Sequence, residues 1–316
     1  MLAIISDIRK QKNQAWGFAL RLILFLLLLF LADRLLGWAL TRGLERYFGL
    51  DQPAEILAIG HSHTVLGLDN VELERQLDMK VAKYARQGAN VIDRLAMLRH
   101  YLECQPNSAK LLIYGVDAYT FSDHGLSANS YRLFFPFMNR QSVREFLRQQ
   151  CKKKSEYLLR IFSHSTRFNE ETAALAVRGW MKSWANLKWG NIDINRQKQK
   201  IAEGDYRRIR FDDDSIRLFA DTIHLARQHD ISVVLTFFPT LDLLNQTQPE
   251  KYAQALQLLR DFVAETPGVH LLEYNPEFEH RYELFYDAIH LNPEGRKVIT
   301  DRIAEDIQKI LKQQKL

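Results

Sequence analysis

The sequence predicts an α/β fold in which helices cover both faces of a five-stranded parallel sheet, with a helical insertion and a membrane-spanning helix at the N-terminus. Short apolar runs typical of buried strands alternate along the chain with segments of helical periodicity, as they do in parallel sheets. A longer apolar run stands before the first of them. The 316 residues, 26% of them charged and 47% hydrophobic, suffice for one large globular domain and an appendage.

The longer apolar run extends from Trp16 to Ala32 and is interrupted by a single charged residue, Arg21. Together with the apolar residues as far as Leu40, it is long enough to cross a hydrocarbon core of about 30 Å at about 1.5 Å per residue. Such a run indicates a transmembrane helix. A cleaved signal peptide is the competing interpretation, but the tripeptide at 32–34 is a poor cleavage site.

Three basic residues lie before this run: Arg9, Lys10 and Lys12. The positive-inside tendency then places the N-terminus in the cytoplasm and the rest of the chain outside it. We therefore predict a single-pass protein of the cell membrane. Its predicted parts are a cytoplasmic N-terminus at 1–14, a transmembrane anchor at 15–40, a juxtamembrane linker at 41–53, and an extracytoplasmic or periplasmic domain at 54–316.

Five apolar runs in the predicted domain indicate strands, at 55–59, 81–85, 111–116, 231–238 and 269–274. Helical patterns occupy 91–102, 214–229, 249–265 and 293–311, and the last of these opens with Asn292 as cap and Pro293 at the first helical position. Between 122 and 213 the strand signal fades and the sequence turns helical and aromatic. We expect this segment to form an inserted subdomain or lid.

A candidate nucleophile follows the first predicted strand directly, in the sequence Gly60-His61-Ser62-His63-Thr64. Ligands of open parallel sheets bind beyond the carboxyl ends of the strands, which is where Ser62 should lie. A serine hydroxyl needs an adjacent imidazole to accept its proton, and the imidazole needs a carboxylate to orient it. Asp287 and His290 meet that need, because they share the loop between the last predicted strand and the last helix.

Two blocks carry a resemblance to a known family. Ile59-Gly60-His61-Ser62 resembles the first block of the SGNH/GDSL hydrolases, and Asp287-x-x-His290 followed by Leu-Asn-Pro-Glu-Gly resembles their final block. The resemblance spans residues 55–311. It implies a flavodoxin-like, three-layer α/β/α domain and a triad of Ser62, His290 and Asp287.

The resemblance also implies an oxyanion hole. The backbone amide of Ser62 is one expected donor, and Gly88, which follows the second strand, is a second candidate, although a plain turn glycine is the alternative. The third block of the family has an asparagine where this chain has Asp117, and an ionised carboxylate cannot donate a hydrogen bond. Asp117 is therefore expected to do another job, such as binding a sugar hydroxyl or positioning His63.

The transmembrane N-terminus and the Gly-x-Asp third block are similar to DltD-like and related envelope-modifying SGNH proteins. In such systems a membrane-bound O-acyltransferase passes an acyl group across the bilayer, and the anchored partner delivers it to a polysaccharide or teichoic-acid hydroxyl. We expect an acyltransferase or esterase that acts through an acyl-serine. The alternatives are a deacylase of envelope glycan or lipid, and a non-catalytic SGNH-fold scaffold for an O-acyltransferase.

Other classes of ligand find less support in the sequence. His61 and His63 form a His-x-His pair that could contact substrate or orient its neighbours, but the spacing indicates no third metal ligand, so we predict no metal and no cofactor. The net charge is only +5, and no recognition motif accompanies the basic clusters at 148–154 and 207–210, so nucleic acid is not expected as a partner.

Overall fold

The computed structural model describes residues 2–122 and 130–314. Within these ranges five strands form one sheet in the order β2-β1-β3-β4-β5, and every pairing is parallel. The strands are β1 (Ile56–Gly60), β2 (Val81–Ala85), β3 (Leu111–Val116), β4 (Ser232–Phe237) and β5 (Val269–Glu273). The predicted fold class is confirmed, and each strand lies where an apolar run indicated one.

Helices connect and cover the strands. In chain order they are α1 (Leu2–Phe48), α2 (Ser62–Gly67), α3 (Asn70–Leu77), α4 (Val91–Cys104), α5 (Gln141–Gln150), α6 (Lys154–Phe162), α7 (Glu170–Trp180), α8 (Ile194–Ala202), α9 (Asp213–Gln228), α10 (Asp242–Asn245), α11 (Pro249–Glu265), α12 (Asn275–Phe278) and α13 (Pro293–Gln314). Short 3₁₀ helices lie at Ser130–Phe137, Ser165–Arg167 and Tyr282–Leu284.

The strand order and the helix contacts define two covering layers. Parallel strands are joined by right-handed crossovers, so connections that run in opposite directions along the sheet lie on opposite faces. α2 and α3 contact α13 on one face, whereas α4 contacts α9 on the other. On that second face the rings of Phe219 in α9 and Phe262 in α11 lie 5.1 Å apart. Strands β1 to β4 are almost wholly buried between the two layers, which explains their continuous apolar sequences.

The N-terminal helix is longer than the sequence indicated. It continues without a break to Phe48, so the first part of the predicted linker at 41–53 is helical. The reason is packing: Leu44 and Phe48 are buried, and the Phe48 ring lies 5.0 Å from that of Tyr84 on the edge strand β2. Gly49, with φ at +71°, ends the helix in the left-handed conformation that glycine accepts most readily.

From residue 14 to residue 36 the side chains of α1 are mostly exposed, whereas the C-terminal part of the helix packs on the domain. An 18-residue window within Gln14–Phe48 has a mean hydropathy of 2.4 and none of it is buried, so the helix is long and apolar enough to cross a membrane. Farther along, α1 packs against α7, where a Cβ added to Gly179 would overlap the carbonyl oxygen of Gly43. Trp180 Nε1 also donates a hydrogen bond to the carbonyl of Ala39 at 2.9 Å.

The described parts of the segment between β3 and α9, at 117–122 and 130–212, contain helices joined by loops and no strand. Its aromatic residues separate into two groups. Tyr131, Phe134, Phe135 and Phe137 are buried in the main core, whereas Trp180 and Trp189 are 42% and 74% exposed. The first group serves packing, whereas the Trp180 ring is partly covered by the Arg46 guanidinium at 4.0 Å and Trp189 faces outward.

Candidate active site

Ser62 lies at a sharp strand-to-helix turn. β1 ends at Gly60 and α2 begins at Ser62, so His61 alone makes the turn and acts as the N-cap of the helix. Its Nδ1 accepts a hydrogen bond from the backbone amide of His63 at 3.2 Å. An imidazole thus performs the capping that serine, threonine or aspartate usually performs.

Two glycines allow α2 to sit close to the strand ends. A Cβ on Gly60 at the end of β1, or on Gly115 near the end of β3, would overlap the hydroxyl of Thr64. Thr64 is fully buried, and its side chain occupies the space that the two missing Cβ atoms leave. The glycines therefore fix the depth at which α2, and with it Ser62, lies against the sheet.

Asp287 and His290 lie in a tight loop between Leu284 and α13. Asp287 Oδ1 accepts hydrogen bonds from the amides of Ile289 and His290 at 3.0 and 2.9 Å. The carbonyl of His290 in turn accepts one from the amide of Tyr286 at 2.8 Å. Because the loop closes on its own backbone groups, the carboxylate and the imidazole are held on the same side of it.

The structure brings Ser62, His290 and Asp287 together in one hydrogen-bonded chain. His290 Nε2 lies 2.8 Å from Ser62 Oγ, and His290 Nδ1 lies 2.8 Å from Asp287 Oδ2. Burial acts to raise the pKa of Asp287, but hydrogen bonds and the charge of His290 outweigh it and hold this pKa below its usual range. An ionised Asp287 keeps the proton of the neutral ring on Nδ1, which leaves Nε2 free to accept the serine proton.

Asp117 forms a second buried pair beside this chain. Its Oδ2 lies 3.0 Å from His61 Nε2, and its Oδ1 accepts hydrogen bonds from the Tyr119 amide at 2.9 Å and from the Thr120 hydroxyl at 3.1 Å. Burial favours the neutral acid, yet the neighbouring histidines and the hydrogen bond from His61 hold the pKa of Asp117 well below its usual range. Burial lowers the pKa of His61, so we take the ring as neutral and donating to a carboxylate.

His63 lies between the two pairs. Its Nδ1 is 3.7 Å from Asp117 Oδ2, and its ring centroid is 5.7 Å from that of His290. Burial, with the nearby His61, lowers the pKa of His63 well below its usual range. His63 is therefore an uncharged ring that packs beside the histidine in contact with Ser62.

Three possible metal ligands lie close together beside Ser62: His61, His63 and Asp117. One ligand atom from each lies within 4.8 Å of the others, so the structure places a third candidate ligand that the sequence spacing did not indicate. The tautomer of His61 argues against a metal. Its Nδ1 accepts the amide proton of His63 and must carry a lone pair, so the ring proton sits on Nε2, directed at Asp117. A cation would have to displace that proton.

Gly88 lies in a turn just after β2, with φ at +74°, a conformation that by itself favours glycine. The amide of Arg86 donates to the carbonyl of Gly60 at 3.1 Å, which extends the pairing of β1 and β2 beyond their last residues. The turn therefore begins beside the segment that carries Ser62. A place for the Gly88 amide in an oxyanion hole remains a prediction.

The inserted segment adds two cations that sequence reasoning did not assign to the site. Lys188 Nζ lies 4.0 Å from Asp287 Oδ2, and its charge helps to lower the pKa of that carboxyl. The Arg207 guanidinium stacks over the Tyr119 ring at 4.7 Å, and its charge acts on Asp117 and His63. The basic cluster at 207–210 was visible in the sequence, but only the fold places one of its members, Arg207, near Asp117 and His63.

No family model and no curated protein sequence matches this chain. Among solved structures, the chain is similar to the crystal structure of a protein from Bacteroides fragilis NCTC 9343 that is described as a candidate acylhydrolase. The two share 12% sequence identity with a TM-score of 0.41, over 81% of this chain and 87% of the other. A likeness this distant says nothing about chemistry, so the site must be interpreted from its own geometry.

Proposed function

We propose that the protein is a membrane-anchored, extracytoplasmic serine acyltransferase or esterase that works through an acyl-serine intermediate. The observation that carries the proposal is the hydrogen-bonded chain from Ser62 Oγ through His290 to Asp287, with both links at 2.8 Å. A serine, an imidazole and an ionised carboxylate in this order form the arrangement that activates a hydroxyl for nucleophilic attack.

The first half of the reaction forms the acyl-enzyme. His290 Nε2 takes the proton of Ser62 while Oγ attacks the carbonyl carbon of an oxygen ester or thioester. As the tetrahedral intermediate collapses, the bond to the leaving group breaks, and the imidazolium returns its proton to that group. Asp287 stabilises the charged ring throughout and is not itself protonated.

The tetrahedral oxyanion needs donors that are in place before the reaction. The Ser62 amide is suited to this role, because it lies in the first turn of α2, where backbone amides have no acceptor within the helix. The Gly88 amide is the proposed second donor. Asp117 takes no part in this hole: it is an acceptor engaged with His61, Tyr119 and Thr120.

In the second half of the reaction an acceptor hydroxyl gives its proton to His290 as its oxygen attacks the acyl-serine. The bond between the acyl group and Ser62 Oγ then breaks, and His290 returns the proton to Oγ. A polysaccharide or related envelope polymer as acceptor makes the protein a transferase, and water makes it an esterase or deacylase. The positions of Lys188 and Arg207 support a polymer, and an anionic one in particular, because both cations come from the insertion and lie beside the site. The acyl donor would come from a membrane-bound O-acyltransferase.

The decisive experiment is covalent labelling of the full-length protein in detergent with a fluorophosphonate probe, followed by mass spectrometry. We expect an adduct on Ser62 that is lost in Ser62→Ala and in His290→Ala. His229→Ala, a change at an exposed histidine outside the site, is the matched control and should label normally. Labelling that survives in His290→Ala, or an adduct on another serine, would contradict the proposed activation of Ser62.

A second measurement separates transfer from hydrolysis. The acyl-enzyme formed from a chromogenic acetyl ester is mixed with envelope oligosaccharide, and the products are analysed by mass spectrometry. Acetylated sugar in excess of free acetate identifies a transferase, whereas acetate alone identifies an esterase. A protein that labels neither with the probe nor with the ester, although folded, would be the non-catalytic scaffold.

A further inference from the structure

Helix α6 presents an apolar face that no part of the described chain covers. It spans Lys154–Phe162 and has no buried residue. Its exposed apolar side chains are Leu158 (51%), Leu159 (53%), Ile161 (40%) and Phe162 (73%). Exposed apolar clusters of this kind usually mark an interaction surface.

The opposite side of α6 holds the helix to the domain through polar and charged groups. Glu156 accepts hydrogen bonds from Tyr131 and Arg132, and it forms an ion pair with Arg160 at 3.1 Å. The Arg160 guanidinium stacks on the buried ring of Phe135 at 4.3 Å. The orientation is thus the reverse of that in a water-facing helix, since the charged side chains point inward and the apolar ones outward.

The C-terminal end of α6 is hydrogen-bonded to α1 at the point where the apolar run of α1 ends. The Arg34 guanidinium donates a hydrogen bond to the carbonyl of Phe162. The neighbouring Asp33 carboxylate accepts hydrogen bonds from the hydroxyls of Ser163 and Ser165 at 2.8 and 2.6 Å, and from the amide of His164 at 2.8 Å. Asp33 and Arg34 are the first charged residues after the apolar stretch, so α6 is tied to the level at which that stretch ends.

The apolar surface of α1 resumes beyond Asp33 and Arg34. Leu35, Leu36 and Trp38 are 65%, 50% and 62% exposed. Tryptophan favours the boundary between headgroups and acyl chains. Exposed apolar residues therefore lie on α1 and on α6 at about the same level, as expected where a helix pair meets one lipid surface.

A basic segment leads into α6. It consists of three exposed lysines: Lys152 and Lys153 directly precede the helix, and Lys154 is its first residue. Basic residues beside an apolar helical face are typical of helices that lie in the interface of membranes with anionic lipids. This complementarity favours a lipid surface over a protein partner.

We propose that α6 lies in the outer-leaflet interface of the membrane that α1 spans, with Leu158, Leu159 and Phe162 among the acyl chains and the three lysines among the headgroups. The proposal rests on the membrane anchor of the proposed function. A second attachment point prevents the domain from swivelling about α1. It therefore holds the site that contains Ser62 in one orientation toward the bilayer.

The test uses the full chain in nanodiscs of purified zwitterionic and anionic lipids, with Cys104 and Cys151 replaced by serine. Single-cysteine variants Phe162→Cys, Leu27→Cys and Val71→Cys are labelled with an environment-sensitive fluorophore. Phe162→Cys retains the backbone carbonyl that Arg34 binds. Leu27 reports on α1 itself, and Val71, an exposed apolar residue of α3 (52%), is the matched control.

We expect nitroxide-labelled lipid to quench the labels at Leu27 and Phe162 by about twofold or more and to leave the label at Val71 unaffected. Quenching at Leu27 with water-like emission at Phe162 overturns the placement of α6 while the anchor stands. Absence of quenching at both positions overturns the anchor and the placement of α6 together. The serine chemistry of the proposed function is tested independently, by fluorophosphonate labelling of Ser62.

Discussion

Asp117 Oδ2 lies 3.0 Å from Nε2 of His61, the residue directly before Ser62, and 3.7 Å from Nδ1 of His63, the residue directly after it. His61 in turn caps the helix that begins at Ser62. The carboxylate therefore acts on the position of the serine through the backbone around it, in contrast to Asp287, which contacts the histidine bound to Ser62 Oγ. Asp117 is a positioning residue in this arrangement.

The role of Asp117 can be tested by Asp117→Asn. Asparagine has one acceptor oxygen where Asp117 uses two, so its NH₂ group must face either His61 Nε2 or the Tyr119 amide and the Thr120 hydroxyl. A buried donor then loses its acceptor, and we expect the free energy of unfolding to fall by about 1–3 kcal/mol. The rate of fluorophosphonate labelling at Ser62 should fall by less than about tenfold, because His290 and Asp287 are untouched. Thermal denaturation and labelling kinetics measure the two quantities. A loss of labelling of about a hundredfold or more with little loss of stability would instead make Asp117 a direct participant.

Asp287→Asn should affect the chemistry far more than the fold. The asparagine oxygen can replace Oδ1 as acceptor from the amides of Ile289 and His290, which directs its NH₂ group toward His290 Nδ1. The ring then carries its proton on Nε2 and cannot accept one from Ser62. We expect the labelling rate to fall by about 10³-fold or more with a nearly unchanged melting temperature.

A matched substitution controls for this change. Asp214→Asn alters a carboxylate of 75% exposure on α9 and should label at the normal rate. If Asp287→Asn labelled as fast as this control, the hydrogen-bonded chain would have no role in activating the serine.

The contact of Thr64 with two glycines predicts a specific rescue. Gly115→Ala places a methyl group against the Thr64 hydroxyl, and such overpacking costs about 1–3 kcal/mol. In the double variant Gly115→Ala, Thr64→Ala the added methyl gains the space of the lost side chain. We expect chemical denaturation to show a recovery of most of the stability lost in Gly115→Ala. Additive losses in the double variant would show that the two residues do not interact.

Lys83 should make stability depend on pH. Burial lowers its pKa to about 7, and its Nζ donates to the carbonyl of Leu68 at 2.9 Å, near the end of α2. Since an unfolded lysine has a pKa of about 10.4, the unfolded chain binds more protons between the two values, and stability rises with pH by up to about 1.4 kcal/mol per unit. Below pH 7 Lys83 is protonated in both the folded and the unfolded state, so its contribution to stability no longer changes with pH.

The measurement compares the wild type with Lys83→Met by denaturation at about pH 7.5 and 9.5. The wild type should gain about 2 kcal/mol more than the variant over this interval. An equal change in both proteins would mean that Lys83 is solvated and titrates normally in the folded state.

The sequence by itself determined the sheet and an N-terminal helix that is long and apolar enough to cross a membrane. Continuous apolar runs such as 111–116 and 231–238 are needed wherever both faces of a strand are covered, so strand positions could be predicted from composition alone. The meeting of Ser62 with Asp287 and His290 could also be predicted, because β1 and β5 end at the same edge of a parallel sheet and the loop before α13 comes after β5 in the chain.

Only the tertiary structure decided which neighbours these residues acquire. The first part of the predicted linker, as far as Phe48, became helix because Leu44 and Phe48 are buried and the Phe48 ring packs on Tyr84 of β2, which no local pattern reveals. The partner of Asp117 proved to be His61, and Lys188 reached Asp287 from the insertion. Periodicity along a chain reports how residues face a surface, whereas hydrogen bonds between distant residues depend on strand order and loop paths that are determined only when the whole chain packs.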